Sequence, residues 1–267
     1  MSFLSAVIAS KLAEIRERKA RLPEAALLDR IPRERRGFAA ALAGEGLAVI
    51  AEVKRASPSR GPIAPDLDLP RLLRDYERGG AAAVSILTES EFFCGSLGDL
   101  EAARDLTSLP LLRKDFIVDP YQIVEAAAAG ADAVLLIAAC LSPSQLDELR
   151  AAARELDLAA LVEIHDEEEL AMAMSAGAEL IGVNSRDLRT LAVEPERALR
   201  LLAGLPEGVI KVAESGIARP EEAARAAAAG ADAILVGEAL VKSPDPASLI
   251  AALRGREEGC SSSRSAG

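Results

Sequence analysis

The chemistry available to this sequence rests on five side chains: Glu52, Lys54, Lys114, Glu163 and Asn184. Each stands at or just past the end of a short apolar run, where a polar residue interrupts a segment that otherwise reads as interior. Glu52 and Lys54 are two apart, so on an extended segment they share one face. A lysine on an inward face needs a partner or a ligand, because burying a lone ammonium is costly. Taken singly, each charge also fits a structural strand cap. Together, two lysines, two glutamates and an amide form an acid–base set, able to donate and remove protons and to hold an anion.

Two further clusters suggest what the set acts on. Ser215-Gly216 and Gly237 close two later runs, where glycine permits close backbone approach and N–H groups at a helix start complement an anion such as phosphate. Ordinary turns use the same residues. Aromatics are scarce, with five Phe, two Tyr and no Trp, yet Phe92, Phe93 and Phe116 fall just beyond two runs. That placement suits either the wall of a pocket for a flat apolar group or packing beneath the N-terminal helices. His165 is the single histidine. It opens the helix-start segment HDEEEL and reads as a surface or capping residue rather than a catalyst.

The elements that must position these residues form an alternation. The apolar runs are 47–53, 82–87, 110–116, 133–138, 159–164, 180–184, 209–215 and 233–238. Each is short and largely apolar, as parallel strands covered on both faces are. Between them lie Ala-, Leu- and charge-rich segments with helical spacing, such as Leu146, Leu149 and Ala153. Eight strands, each followed by a helix, predict an α/β fold, a (β/α)8 TIM barrel. A repeat supports it: AAAAGADAVLL at 126–136 returns as AAAAGADAILV at 226–236, with weaker copies at 79–87 and 175–183. In each copy a Gly follows the helix, where a left-handed cap is expected. In such barrels the chemistry lies at the C-terminal strand ends, with phosphate often held after strands seven and eight.

One barrel domain is expected over residues 1–254. It includes extra N-terminal helices in 1–43, broken by Pro23 and Pro32, while the Ser-rich tail 255–267 reads as disordered. Leu4, Ile8, Leu12 and Ile15 recur at helical spacing and predict an amphipathic surface helix; Lys11 and Glu14 come too early for a membrane span or a signal peptide. Lys and Arg total 31 against 42 Asp and Glu, a formal charge of −11. So acidic a chain should be soluble and repel nucleic acid and anionic membranes, leaving any anionic ligand to be caught locally. Cys94, Cys140 and Cys260 have no metal-site spacing and read as free thiols of a reducing cytoplasm. The helical exterior is compatible with a monomer and with a dimer patch alike.

Several stretches resemble the indole-3-glycerol-phosphate synthase family of tryptophan biosynthesis: IAEVKRASPSRG (50–61), LTESEFFCGSLGDL (87–100), LPLLRKDFIVDPYQI (109–123), ALVEIHDEEEL (160–170), LIGVNSRDL (180–188), VAESGI (212–217) and GADAILVGEAL (230–240). The resemblance implies a sugar-phosphate substrate, 1-(2-carboxyphenylamino)-1-deoxyribulose 5-phosphate, closed to indole-3-glycerol phosphate with loss of CO2 and water and without cofactor or metal. It implies that Lys114 is the general acid on the substrate ketone, its pKa lowered by partial desolvation, and that Glu163 serves the anilinium nitrogen or removes a proton. Lys54 would hold the anthranilate carboxylate or act as acid in the dehydration, with Glu52 as its partner and base. Asn184 would bond sugar hydroxyls or orient Glu52, and Arg186 would help with the carboxylate. Ser57, Ser215, Gly216 and Gly237 match sugar- and phosphate-contacting positions; Phe93, Phe116 and Leu135 match the aryl pocket. Ala239 stands where the family often has Ser, and Ser185 varies a commoner Asn. Two other readings stay open: a non-catalytic sugar-phosphate-binding barrel, and a sibling isomerase such as phosphoribosylanthranilate isomerase. The isomerase would want a Cys–Asp pair where this chain has Glu52 and Glu163.

Overall fold

The computed structural model describes residues 3–188 and 190–255. Eight parallel strands close into a barrel in sequence order. They are Ala48–Val53, Ala83–Leu87, Leu111–Lys114, Ala133–Ile137, Ala159–Ile164, Leu180–Asn184, Ile210–Glu214 and Ala233–Val236. These are the eight predicted runs, trimmed by a residue or two at some ends. Helices follow every strand, and their starts are written in the sequence. Asp68, Ser96, Asp119, Ser142, Asp166 and Asp245 cap them by accepting backbone N–H bonds, most with Pro in the first turn. The repeat earns its glycines: Gly80, Gly130, Gly177 and Gly230 all have φ between 73° and 93°. Its aspartates act alike as well, Asp132 accepting from Leu111 N at 2.9 Å and Asp232 from Lys211 N at 2.8 Å, each steadying the start of the preceding strand.

The strand registers sort the barrel interior into levels. Followed around the barrel, they bring Glu52, Lys114, Glu163 and Glu214, from strands one, three, five and seven, to one height. Two residues lower on the same strands lie Ile50, Leu112, Leu161 and Val212, all fully buried. The even strands fill the steps between, with Ser85, Leu135, Gly182 and Leu235 below the charged level and Leu87, Ile137, Asn184 and Gly237 above it. The interior therefore turns from hydrocarbon to charge at one level, near the C-terminal strand ends.

Before the barrel come three helical segments, Phe3–Arg21, Glu24–Leu28 and Phe38–Leu42, where one or two were expected. Pro23 ends the first by capping the second. The first helix buries Leu4, Val7, Lys11 and Ile15, while Leu12 is 39% exposed. The predicted stripe was thus rotated, because Lys11 faces inward to a carboxylate. Among the described residues no helix is long and apolar enough to cross a membrane. The expectation of a disordered tail concerns residues that, Gly255 apart, lie outside the described ones.

Candidate active site

The C-terminal mouth of the barrel holds a cavity of about 450 Å³. Every candidate residue lines it: the acid–base set Glu52, Lys54, Lys114, Glu163 and Asn184, the aryl-pocket residues Phe93, Phe116 and Leu135, and Ser57, Arg186, Ser215, Gly216 and Gly237. A small hairpin pairing Ala56–Ser57 with Gly61–Pro62 folds the first loop over the mouth. It leaves the Ser57 hydroxyl oxygen buried and unpartnered.

At the charged level, Lys114 Nζ sits 3.0 Å from Glu163 Oε2 and 3.2 Å from Glu214 Oε2. Lys54 Nζ lies 2.5 Å from Glu52 Oε1, the partner its spacing implied. Burial opposes the Lys114 ammonium, but Glu163, Glu214 and Glu52 more than offset it and raise its pKa. The expected lowering is therefore overturned, since that reading counted desolvation and left out the surrounding carboxylates. Burial likewise opposes charge on Glu163, yet Lys114 and His165, with a hydrogen bond from Asn184, hold its carboxyl below the usual range. For Glu214, burial and the repulsion of Glu163 outweigh Lys114 and push it above that range. Three carboxylates facing two ammoniums leave one excess negative charge. Glu214 carries the cost, because neither of its carboxylate oxygens has a hydrogen-bond donor, whereas Glu52 and Glu163 each leave one oxygen unpartnered. Asn184 also accepts from Arg186 N at 2.9 Å. Its contacts thus go to Glu163 and the following loop, and orientation of Glu52 is not among them.

Two glycines make room for the carboxylates. A Cβ on Gly237 would lie 2.3 Å from Glu52 Oε1, and one on Gly182 would lie 2.1 Å from Glu214 Oε1. After strand seven, Ser215 and Gly216 are both left-handed, with φ of 63° and 72°. For Ser215 that conformation costs on the order of 1 kcal/mol. The strain is held by Ser185, whose hydroxyl donates to Ser215 O at 3.0 Å.

The aromatic alternatives are divided between the two phenylalanines. Phe93 faces Phe116 across the cavity wall with ring centroids 6.4 Å apart, while Phe92 packs edge-on against Phe3 of the N-terminal helix at 5.2 Å. Phe3 itself lines the cavity. The Glu89 carboxylate shapes this loop by accepting N–H bonds from Glu91, Phe92 and Phe93 at 2.7–3.0 Å.

Behind Lys114, on the outer face of strand three, lies a second charged cluster. Arg113 donates to Thr88 Oγ1, Gln122 O and Asp115, and pairs with Glu125 at 2.8 Å. Asp115 pairs with Lys11 of the N-terminal helix at 3.0 Å and accepts from Thr88 and from Phe116 N.

Sequence reasoning passed over three participants. Glu214 was visible at a strand end, two residues past inward Val212, but was not included in the acid–base set. Phe3 offered no local signal. His165 is no surface residue: its side chain is 7% exposed, with Nδ1 3.0 Å from Glu169 Oε2 and Nε2 3.6 Å from Glu163 Oε1. The described cysteines, Cys94 and Cys140, are free. No group of metal-ligating residues occurs among the described ones.

Comparison with known proteins bears on the fold and on the family. Among solved structures, 3-hexulose-6-phosphate synthase from Salmonella typhimurium superposes with a TM-score of 0.63 at 16% identity, covering 79% of this chain and 98% of that one. Thiamine phosphate pyrophosphorylase from Pyrococcus furiosus gives 0.60 at 19% identity, covering 79% and 95%. At such identities the likeness concerns the barrel fold alone. Sequence relatives reach further. A protein named indole-3-glycerol phosphate synthase from Mycolicibacterium vanbaalenii is 55% identical over 214 residues, 80% of this chain and 79% of that protein. One of the same name from Streptomyces griseus is 47% identical over 255 residues, 95% of each. The family profile described as indole-3-glycerol phosphate synthase matches residues 4–253. The chain belongs to the indole-3-glycerol phosphate synthase family.

Proposed function

We propose that the protein closes 1-(2-carboxyphenylamino)-1-deoxyribulose 5-phosphate to indole-3-glycerol phosphate, releasing CO2 and water, and that the charged level of the barrel performs the chemistry. The observation that carries this reading is Lys114 held between Glu163 and Glu214 at the floor of a cavity with one aromatic side. With its pKa raised, Lys114 stays charged across the working range and donates a hydrogen bond to the substrate ketone. It releases its proton only as that oxygen becomes a basic alkoxide, while the aryl carbon attacks. Glu163, held as a carboxylate, stabilises positive charge on the anilino nitrogen. Loss of CO2 restores the aromatic ring. In the dehydration, Lys54 hands a proton to the departing hydroxyl and Glu52, 2.5 Å from it, takes one from the substrate. Asn184 bonds the sugar hydroxyls and Arg186 assists with the substrate carboxylate.

The flat aryl group fits between Phe93, Phe116 and Leu135. The phosphate fits the backbone of Ser215-Gly216 and Gly237, with Ser57 contributing its unpartnered hydroxyl. Ala239 lines this end without a hydroxyl, a difference of about 1 kcal/mol in phosphate binding. The reading needs no cofactor and extends to a cytoplasmic monomer. Two free thiols favour that compartment. The exposed large apolar residues among the described ones are five, Leu12, Leu28, Leu106, Met174 and Val193, spread along the chain. Incubation with the carboxyphenylamino-deoxyribulose phosphate should give indole fluorescence, and Lys114→Ala should abolish it. A folded wild-type sample without signal overturns the reading.

A further inference from the structure

We propose that His165 is a positioning residue for Glu163, holding its Oε1 through Nε2 so that Oε2 remains on Lys114. His165 follows strand five directly, and its ring lies behind Glu163, outside the cavity lining. Glu169, on the next helix, fixes the imidazole from two sides: its Oε2 accepts the His165 backbone N–H at 2.7 Å and lies 3.0 Å from Nδ1. Glu169 is itself steadied by the Asp166 cap of that helix, which accepts Glu169 N at 2.9 Å. A carboxylate at Nδ1 requires the hydrogen there, so Nε2 is the free end of the ring. That end faces Glu163 Oε1 at 3.6 Å. Both atoms are buried and neither has a hydrogen-bond partner.

Two orphaned polar atoms facing each other gain by sharing a proton, and a small shift closes the gap to bonding distance. When the ring is cationic, Nε2–H donates and Glu163 remains a carboxylate. When the ring is neutral, Nε2 becomes an acceptor and favours a proton on Oε1. The other ionisable groups around the ring are Glu169 from its helix and Glu214 from strand seven, with Cys140, from the turn after strand four, beside Glu163 and Glu169. Burial opposes the imidazolium, but Glu169, Glu163 and Glu214 outweigh it and raise the His165 pKa. The ring is therefore cationic over a wider pH range than a free histidine. Burial keeps the Cys140 thiol protonated, so it adds no charge.

The proposal rests on Glu163 acting in the reaction above, and its test separates the two. His165 is the sole histidine, so an untagged full chain gives a single imidazole titration by NMR. The midpoint should move to lower pH in Glu163→Gln; an unmoved midpoint overturns the contact, whether or not the protein closes rings. In the activity assay, His165→Leu should lower kcat about tenfold with KM within about twofold. His165→Gln keeps a neutral donor, so it should recover most of kcat and lack the alkaline limb that in wild type coincides with the imidazole midpoint. If His165→Leu keeps the wild-type kcat and pH profile, His165 is structural and the proposal fails. If His165→Leu does not fold, the Gln variant's pH profile decides alone.

Discussion

Consecutive residues of strand three enter two charged clusters of opposite character. Arg113 and Asp115 point outward and meet Glu125, Thr88, Gln122 and Lys11; Lys114 points inward and meets Glu163 and Glu214. In the outer cluster no buried side-chain nitrogen or oxygen of Arg113, Asp115, Glu125 or Lys11 lacks a partner. In the inner one, Glu52 Oε1, Glu163 Oε1 and both oxygens of Glu214 have none. Both clusters hold almost fully buried charges, Glu163 and Glu214 in the inner one and Arg113 and Asp115 in the outer, so burial alone does not distinguish machinery from scaffold. Satisfaction does. A fully paired cluster has nothing to offer a ligand, whereas an incompletely paired one at a cavity floor keeps capacity for the substrate.

Substitution of neighbours should therefore have different consequences. Lys114→Met should lower kcat/KM by about 10³–10⁴-fold, because the group facing the ketone oxygen is lost, with a smaller effect on Tm than Arg113→Met. Arg113→Met strands Asp115 and Glu125 without their shared cation, and should cost about 3–5 kcal/mol of stability. At about 2–4 °C per kcal/mol, that is a fall in Tm of roughly 10 °C. Folded Arg113→Met should retain kcat within about tenfold, since it touches no substrate. Thermal melts and steady-state kinetics on both variants check the pair. Equal Tm losses would erase the distinction.

A smaller effect is expected at the boundary between levels. Gly237→Ala would drive a methyl group into Glu52, which is 3% exposed and has little space to yield. The displacement should separate Glu52 from Lys54 and cost about 1–3 kcal/mol in stability. If these two serve the dehydration, the dehydration step should slow by about tenfold while ring closure and decarboxylation proceed, so a hydroxyindoline intermediate that lacks the indole double bond should build up in single-turnover spectra. Equal slowing of both steps would remove that division of labour.

The strands were legible because parallel strands covered on both faces read as short, largely apolar runs, and 159–164 and 180–184 match residue for residue. Chemistry at the mouth was legible because polar residues break those runs almost entirely at one end. Pairing was not. Hydropathy places a lysine outside, so the inward Lys11 was invisible until Asp115 appeared opposite it. The same blindness led to the expectation of a lowered Lys114 pKa, since burial taken alone gives the wrong sign once three carboxylates surround the ammonium. Glu214 was recoverable in principle: it keeps the inward alternation of Val212, and Gly182 on the neighbouring strand six is the small residue that its side chain needs. His165 could not be placed, because its role depends on ring orientation rather than on position along the chain.

The smallest expected effect tests the excess charge of the inner level most directly. Glu214 has its pKa raised in the folded state. A carboxyl of that kind contributes stability that is fully present below its unfolded value and is lost as pH rises through its folded value. A glutamine in its place would have the same shape and no titration. The stability of Glu214→Gln relative to wild type should thus be near zero at acid pH and grow steadily through neutrality, reaching about 1 kcal/mol, or roughly 2–4 °C in Tm, on the alkaline side. Glu163, with its pKa lowered, works in the opposite sense: its contribution is lost as pH falls toward its folded value, so Glu163→Gln should be least stable relative to wild type at and above neutral pH. Melting curves of the three proteins from pH 5 to 9 would show one difference rising and the other negative. If both differences are flat, or share a sign, the excess negative charge does not reside on Glu214, and the contrast with the balanced outer cluster fails with it.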